Sequence, residues 1–203
     1  MSRPITALSS LAHGAMAFAL TVCLAVTLTL TLSPAAAQVA PPADGSADVS
    51  SPSIVEMKAR PTVALAGTAE WDEGMRTLAD AMEKLRVEMD KAGLAPAGKP
   101  FAVFVETDDK GFRFEAMVPL AALPEPAPTL QNGLRIATSP AGKTMKFEHR
   151  GSYDEIDTTY EAITAYLDEK GLEAQNLFLE EYLNLPRTPD EDGARVDIFV
   201  FLK

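Results

Sequence analysis

TMKFEHRGSYDEIDTTYEAITAYLDEKGLEAQNLFLEEY, residues 144–182, is the stretch whose reading decides the fold. Met145, Phe147 and His149 alternate with Thr144, Lys146 and Glu148, which is the period of a strand. Gly151 breaks the run. Ile156, Tyr160, Ile163, Tyr166 and Leu167 then recur at spacings of three and four, placing them on one face of a helix from about Asp154 to Lys170. Gly171 suits the end of that helix, because glycine takes the left-handed C-cap conformation at little steric cost. A second alternation, Phe178, Glu180 and Tyr182, closes a strand-helix-strand unit.

The same plan occurs earlier in the chain. Trp71-Asp72-Glu73 matches Tyr153-Asp154-Glu155 at an offset of 82, and Gly111-Phe112-Arg113-Phe114-Glu115 matches Gly193-Ala194-Arg195-Val196-Asp197 at the same offset. Gly93-Leu94 matches Gly171-Leu172 at an offset of 78, so the first helix is about one turn longer. Each copy reads as a strand, a helix and two strands. In the first these are Thr62–Ala66, a helix from Asp72 to Lys91, Phe101–Glu106 and Phe112–Pro119. In the second the strands are Thr144–His149, Leu177–Leu183 and Arg195–Leu202, with a proline- and acid-rich loop from Pro186 to Gly193 before the last. The expected architecture is α+β: duplicated β-α-β-β halves (58–120 and 134–203), related by a pseudo-twofold axis, with two main helices, a proline-rich linker over 121–133 and a ligand cleft between the halves.

Residues 1–43 hold a single charged side chain, Arg3, and Ala15–Leu32 is apolar or threonine without interruption before Pro34-Ala35-Ala36-Ala37. A basic start, an apolar core and an Ala-x-Ala ending describe a signal peptide over 1–37. The expected location is therefore periplasmic or secreted, with a retained membrane tether as the alternative. Residues 38–57 begin as a Pro/Ala/Ser-rich run without periodicity and are expected to form a flexible tether. The net charge of −11 repels phosphates and anionic lipid, so nucleic acid is not an expected partner. The only cysteine, Cys23, lies in the leader, and His149 is the only histidine after it. A disulfide, a metal site and a histidine-based triad are thus not expected, nor is any cofactor.

Glu180 is the leading candidate for a site. It shares a strand face with Phe178 and Tyr182, while the first copy has Ala102 and Phe104 at the matching positions. An acid among aromatics suits a cationic organic ligand, since rings supply apolar area and quadrupole attraction and the carboxylate supplies the counter-charge. The plainer alternative is a solvated glutamate on an exposed strand face. Trp71 and Tyr153 precede the two helices, either as hydrophobic staples or as the mouth of the cleft. His149 reads as a structural residue. Glu115 shares a face with Arg113 and Met117 and reads as an exposed charged surface.

The run HRGSYDEIDTTYEAITAYLDEKGL, with EEYLNLP and the closing VDIFVFL, resembles the GyrI-like small-molecule-binding domain, also called the bacterial transcription-activator effector-binding domain. The motifs that carry the resemblance are Gly151 and Tyr153 before the helix, Glu180 and Tyr182 with Pro186, and Asp197-Ile198-Phe199. The closing FVFLK departs from a family pattern that often ends in proline. The resemblance implies a cleft between two halves, in which the glutamate of Glu-x-Tyr meets cationic or amphipathic molecules. Some members look like hydrolases of reactive small molecules, and others sit on DNA-binding regulators. The expectation is an exported, non-enzymatic binder of an apolar or cationic organic molecule, with Glu180, Tyr182, Phe104, Trp71 and Tyr153 as its ligand contacts. The alternatives are a hydrolase using Glu180 and a protein-interaction module.

Overall fold

The computed structural model describes residues 52–184 and 193–203. The expected leader (1–37), all but the end of the tether and most of the loop from Pro186 lie outside these residues. Eight strands form one antiparallel sheet: β1 (Ser53–Met57), β2 (Pro61–Glu70), β3 (Phe101–Thr107), β4 (Gly111–Pro119), β5 (Arg135–Thr138), β6 (Gly142–Gly151), β7 (Ala174–Asn184) and β8 (Ala194–Leu202). Two helices, α1 (Gly74–Lys91) and α2 (Ile156–Lys170), complete the fold. The strand order β1-β6-β8-β7-β3-β4-β2-β5 maps onto itself when the two halves are exchanged, and β3 and β7 meet at its centre. This is the α+β architecture read from the duplication.

Both copies start and stop their helices alike. Trp71–Glu73 and Tyr153–Glu155 each form a 3-10 turn ahead of the α-helix, so the helices proper begin slightly later than the sequence pattern indicates. At the far ends Gly93 and Gly171 take φ of 67° and 62°. The amides of Leu94 and Leu172 then reach back to the carbonyls of Met89 and Leu167, each at 2.9 Å. This is one Schellman closure used twice.

The sequence pattern missed two short strands. Ser53–Met57, expected to belong to the tether, pairs with β6 as an edge strand and so is part of the sheet. Arg135–Thr138 pairs with β2. Each short strand thus leaves its own half and caps the sheet of the other. The connections from β1 to β2 and from β5 to β6 have only three residues each. On a flat sheet the strands they join, six places apart, would be separated by about 29 Å, at roughly 4.8 Å per strand. Four residue steps reach at most about 14 Å. The sheet must therefore curl until its edges approach. The crossovers touch where they pass: the Arg60 amide donates to Ser139 Oγ and the Ser139 amide to the Arg60 carbonyl, both at 2.9 Å.

The curl makes two cores. Inside it lie Met57, Ala64, Phe101, Val103, Met117, Leu179, Phe199 and Phe201, all buried although they belong to the face without helices. Met117 is therefore not part of an exposed charged surface, and this face is no open concavity. Outside, α1 buries Leu78, Met82, Leu85 and Met89 against β2 and β4, while α2 buries Ile156, Ile163 and Leu167 over the β6 side.

A chain begun at residue 58 lacks β1, the burial of Met57 and the Thr144 hydroxyl bond to the Val55 carbonyl. Relative to a chain begun at residue 50, it should lose at least about 2 kcal/mol in urea unfolding, since burying a methionine alone is worth about that much. Equal stability would return these residues to the tether.

Candidate functional site

Strand alternation puts Phe178, Glu180 and Tyr182 of β7 on the helix-bearing face. Glu180 stands between Ala102 of β3 and Ile198 of β8 as cross-strand neighbours, both fully buried. An apolar strand on each side strips its carboxyl of water, and Glu180 is only 2% exposed. It is not a solvated residue on an open strand face.

Three phenols replace the missing water. Tyr160, on the first turns of α2, donates to Oε1 at 2.7 Å. Tyr153, in the 3-10 turn before α2, donates to Oε2 at 2.8 Å, and Tyr182 donates to the same oxygen at 3.0 Å. No basic side chain pairs with Glu180 among the described residues. Desolvating a carboxylate costs several kcal/mol, while hydrogen bonds to a charged group return about 1.5–3 kcal/mol each. Burial is the larger effect here: it pushes the Glu180 carboxyl above the ordinary carboxylate value, against the pull of Tyr160, Tyr153 and Tyr182. Burial, and then the charge of Glu180, hold all three phenols well above the ordinary tyrosine value. They stay neutral donors at any physiological pH.

Of the five candidates, Glu180, Tyr182 and Tyr153 are joined directly. Phe104 lies across the central seam, opposite Phe178 in the β3–β7 register. Both rings are half-buried, and Phe178 packs edge-on against Tyr160 with centroids 6.0 Å apart. Phe104 and Phe178 form an aromatic floor between the strands that carry α1 and those that carry α2. Trp71 makes no hydrogen bond to Glu180 but is linked to Phe104 through the Phe112 ring, with centroids 5.2 Å apart at each step. Its indole N–H donates to the Asp108 carbonyl at 3.0 Å and its ring packs on Phe112 at 5.2 Å, so it clasps the turn between β3 and β4.

Tyr160 and Phe178 are the residues missing from the sequence-based set. Tyr160 follows Tyr153 by seven residues, two helical turns, and that spacing was the available signal. His149 is structural: the Ser152 carbonyl can only accept, so Nε2 donates to it at 2.9 Å, leaving Nδ1 to accept from the Thr159 hydroxyl at 2.8 Å. Burial lowers its pKa. Glu115 pairs with Arg135 of β5, and Arg113 with Glu106. A depression of about 520 Å³ beside the β3–β4 turn is lined by Glu70, Glu106, Asp108, Lys110, Phe112 and Arg113, and Glu180 does not line it. Among the described residues no acid, histidine or cysteine cluster fits a metal ion, and no helix is long and apolar enough to cross a membrane.

Residues 50–203 match the GyrI-like small molecule binding domain. The chain belongs to that family. Solved structures share the fold at low identity. The EcmrR C-terminal domain aligns with TM-score 0.62 at 14% identity, covering 75% of this chain and 96% of that one. Against the EcmrR chain in its DNA complex, the alignment spans only 57% of that chain. A hydrolase from Listeria innocua aligns with TM-score 0.56 at 12% identity, covering 75% of this chain and 91% of that one. SAV2435 bound to tetraphenylphosphonium aligns with TM-score 0.51 at 14% identity, covering 75% and 93%. No similar sequence was found among curated proteins.

Because the folded pKa of Glu180 is raised, its contribution to stability is full below the unfolded carboxylate value of about 4.3 and is lost as pH rises toward the folded value. The melting temperature of the wild type, minus that of Glu180→Gln, should fall across that interval and then level off. Tyr160→Phe removes the hydrogen bond that most opposes the shift, so it should stretch the interval upward and cost about 1.5–3 kcal/mol at neutral pH. Parallel pH profiles for wild type and Glu180→Gln would contradict this account of the carboxyl.

Proposed function

We propose that this domain binds a lipophilic organic cation in the cleft over β3 and β7, with Glu180 as its charged anchor. The observation that carries this reading is a carboxylate at 2% exposure with three phenol donors and no basic partner among the described residues. A purely structural role calls for no charge at that place, because the pseudo-symmetric position holds Ala102 and packs well. Phe104, Phe178 and Tyr160 supply faces on which an apolar cation rests.

The hydrogen-bond inventory narrows the ligand. A carboxylate has about four acceptor directions. The phenols occupy three, and the one left open is on Oε1. A guanidinium or primary ammonium would arrive with donors that find no acceptor, which is costly in a buried site. A quaternary or delocalised cation needs no hydrogen bond and loses nothing. The tetraphenylphosphonium held by SAV2435 is of that type.

A raised carboxyl beside phenol hydroxyls also suits general acid–base chemistry, so a hydrolase is the second reading. Glu180→Gln separates the two: a binder loses affinity, whereas a hydrolase keeps affinity and loses turnover. Tetraphenylphosphonium at a hundred times its dissociation constant should stabilise the full-length wild type by about 2.7 kcal/mol. Neutral triphenylphosphine oxide should do less, and Glu180→Gln should weaken cation binding at least about tenfold, the effect of roughly 1.4 kcal/mol. Equal cation shifts in wild type and Glu180→Gln would remove Glu180 from the anchor role.

The apolar leader, its Ala-x-Ala ending and the net charge of −11 support the further reading that the domain works outside the cytoplasm, without nucleic acid. N-terminal sequencing of the protein expressed in a Gram-negative host should find a mature chain beginning at Gln38 in the periplasmic fraction. An intact N-terminus in the membrane fraction would support the tether instead.

A further inference from the structure

On the reading that Glu180 anchors a cation, we infer that His149 is the positioning residue of that anchor: its one imidazole sets the phenols of Tyr153 and Tyr160 on the carboxylate. Nε2 donates to the carbonyl of Ser152, the residue before Tyr153, at 2.9 Å. Nδ1 accepts from the hydroxyl of Thr159, the residue before Tyr160, at 2.8 Å. Tyr153 and Tyr160 then reach different oxygens of Glu180, Oε2 and Oε1. A side chain of β6 that is 3% exposed thus ties down the residue immediately ahead of each phenol.

The start of α2 depends on such a tie. Neither Ser152 nor Glu155 caps the turn that follows it with its own side chain. The Ser152 carbonyl accepts from the Glu155 amide at 3.1 Å, and the imidazole takes up its second acceptor direction. Burial favours the neutral ring, the form with one donor and one acceptor that these two partners require.

The first half has the same frame without the tie. At an offset of 82, Gly67 stands where His149 does, and Trp71 and Leu78 stand where the two phenols do. Gly67 faces Phe114 across the β2–β4 register, and a Cβ there would run into the Phe114 ring. His149 faces Val196 across the β6–β8 register, and this smaller partner leaves room for the imidazole. Leu78 is held by apolar packing, which is not directional. A phenol that must meet one oxygen has to be fixed to within about 0.5 Å, and that takes supporting hydrogen bonds. The histidine stands in the half that carries the carboxylate.

Carboxyl carbon-13 resonances of the full-length chain follow Glu180 directly, its signal being the one missing from Glu180→Gln. Losing a hydrogen bond to the ionised form raises a carboxyl pKa, and one such bond is worth roughly one to two pH units. His149→Phe keeps a ring without donor or acceptor. By loosening two of these bonds it should raise the Glu180 midpoint by at least about half a pH unit. Thr159→Val keeps the imidazole and unties only Tyr160, so its rise should be smaller. His149→Gln keeps a donor for the Ser152 carbonyl and should fall between wild type and His149→Phe. Partners one layer outside a metal site cost about tenfold in affinity when removed. His149→Phe should weaken tetraphenylphosphonium binding by a similar order in calorimetry at neutral pH. Leu167→Val, two turns beyond Tyr160, should lower the melting temperature and leave midpoint and affinity at their wild-type values. If His149→Phe and Thr159→Val do only the same, the positioning role is overturned and Glu180 keeps its own. Equal tetraphenylphosphonium binding by wild type and Glu180→Gln instead overturns the anchor reading, and with it the effect of His149 on affinity.

Discussion

Two crossovers of three residues each, passing one another at Arg60 and Ser139, set the shape on which everything else depends. They are too short to join strands six places apart unless the sheet curls, and the curl divides its faces into an inside and an outside. The inside is filled by side chains of the sheet itself, with the Arg60 guanidinium lying over the Phe101 ring at 4.9 Å and meeting Glu181 at 3.3 Å. The outside carries the helices, one over each flank. A convex surface sets the helices apart, and the central pair β3–β7 lies between them with half-buried aromatics in place of a fully packed core. Closing the inner face therefore opens the outer one.

Glu180 and Glu181 show how sharply the two faces differ. They are consecutive on β7 and point to opposite sides. Glu181, partly exposed, takes an arginine partner in the ordinary way. Glu180, buried and without one among the described residues, is held by neutral phenols. Neutral donors stabilise a negative charge without cancelling it. An arginine in place of one tyrosine would bind the carboxylate more strongly and cancel its charge. The raised carboxyl reflects the balance: burial outweighs the three phenol hydrogen bonds.

Much of this was legible in the sequence. The duplication fixed the order of elements, and the offsets of 82 and 78 located both helix stops, because glycine in the left-handed region is a local requirement that leaves a local mark. Alternation on β7 put Glu180 with Phe178 and Tyr182. What stayed hidden depends on partners distant in the chain. β1 and β5 are strands only because each finds an edge in the opposite half, and sequence periodicity does not register a run of four or five residues beside prolines. The burial of Glu180 comes from Ala102, a small side chain 78 residues earlier whose significance lies in what it does not fill. Tyr160 was hidden by resemblance to its neighbours, since a tyrosine on an apolar stripe reads as core until its hydroxyl is seen to meet a carboxylate.

Duplication also explains why the site occurs once. Both halves have the same frame: an aromatic before the helix (Trp71, Tyr153), a residue two turns on (Leu78, Tyr160) and two positions on the central strand (Ala102 and Phe104, Glu180 and Tyr182). In the second half all four carry oxygen. In the first half none does, and Trp71 turns its one polar group outward to the Asp108 carbonyl. A carboxylate at position 102 would need its own phenols, and it would face Glu180 directly across the β3–β7 register, where like charges repel. The central pair of strands therefore has room for one buried anion, not two.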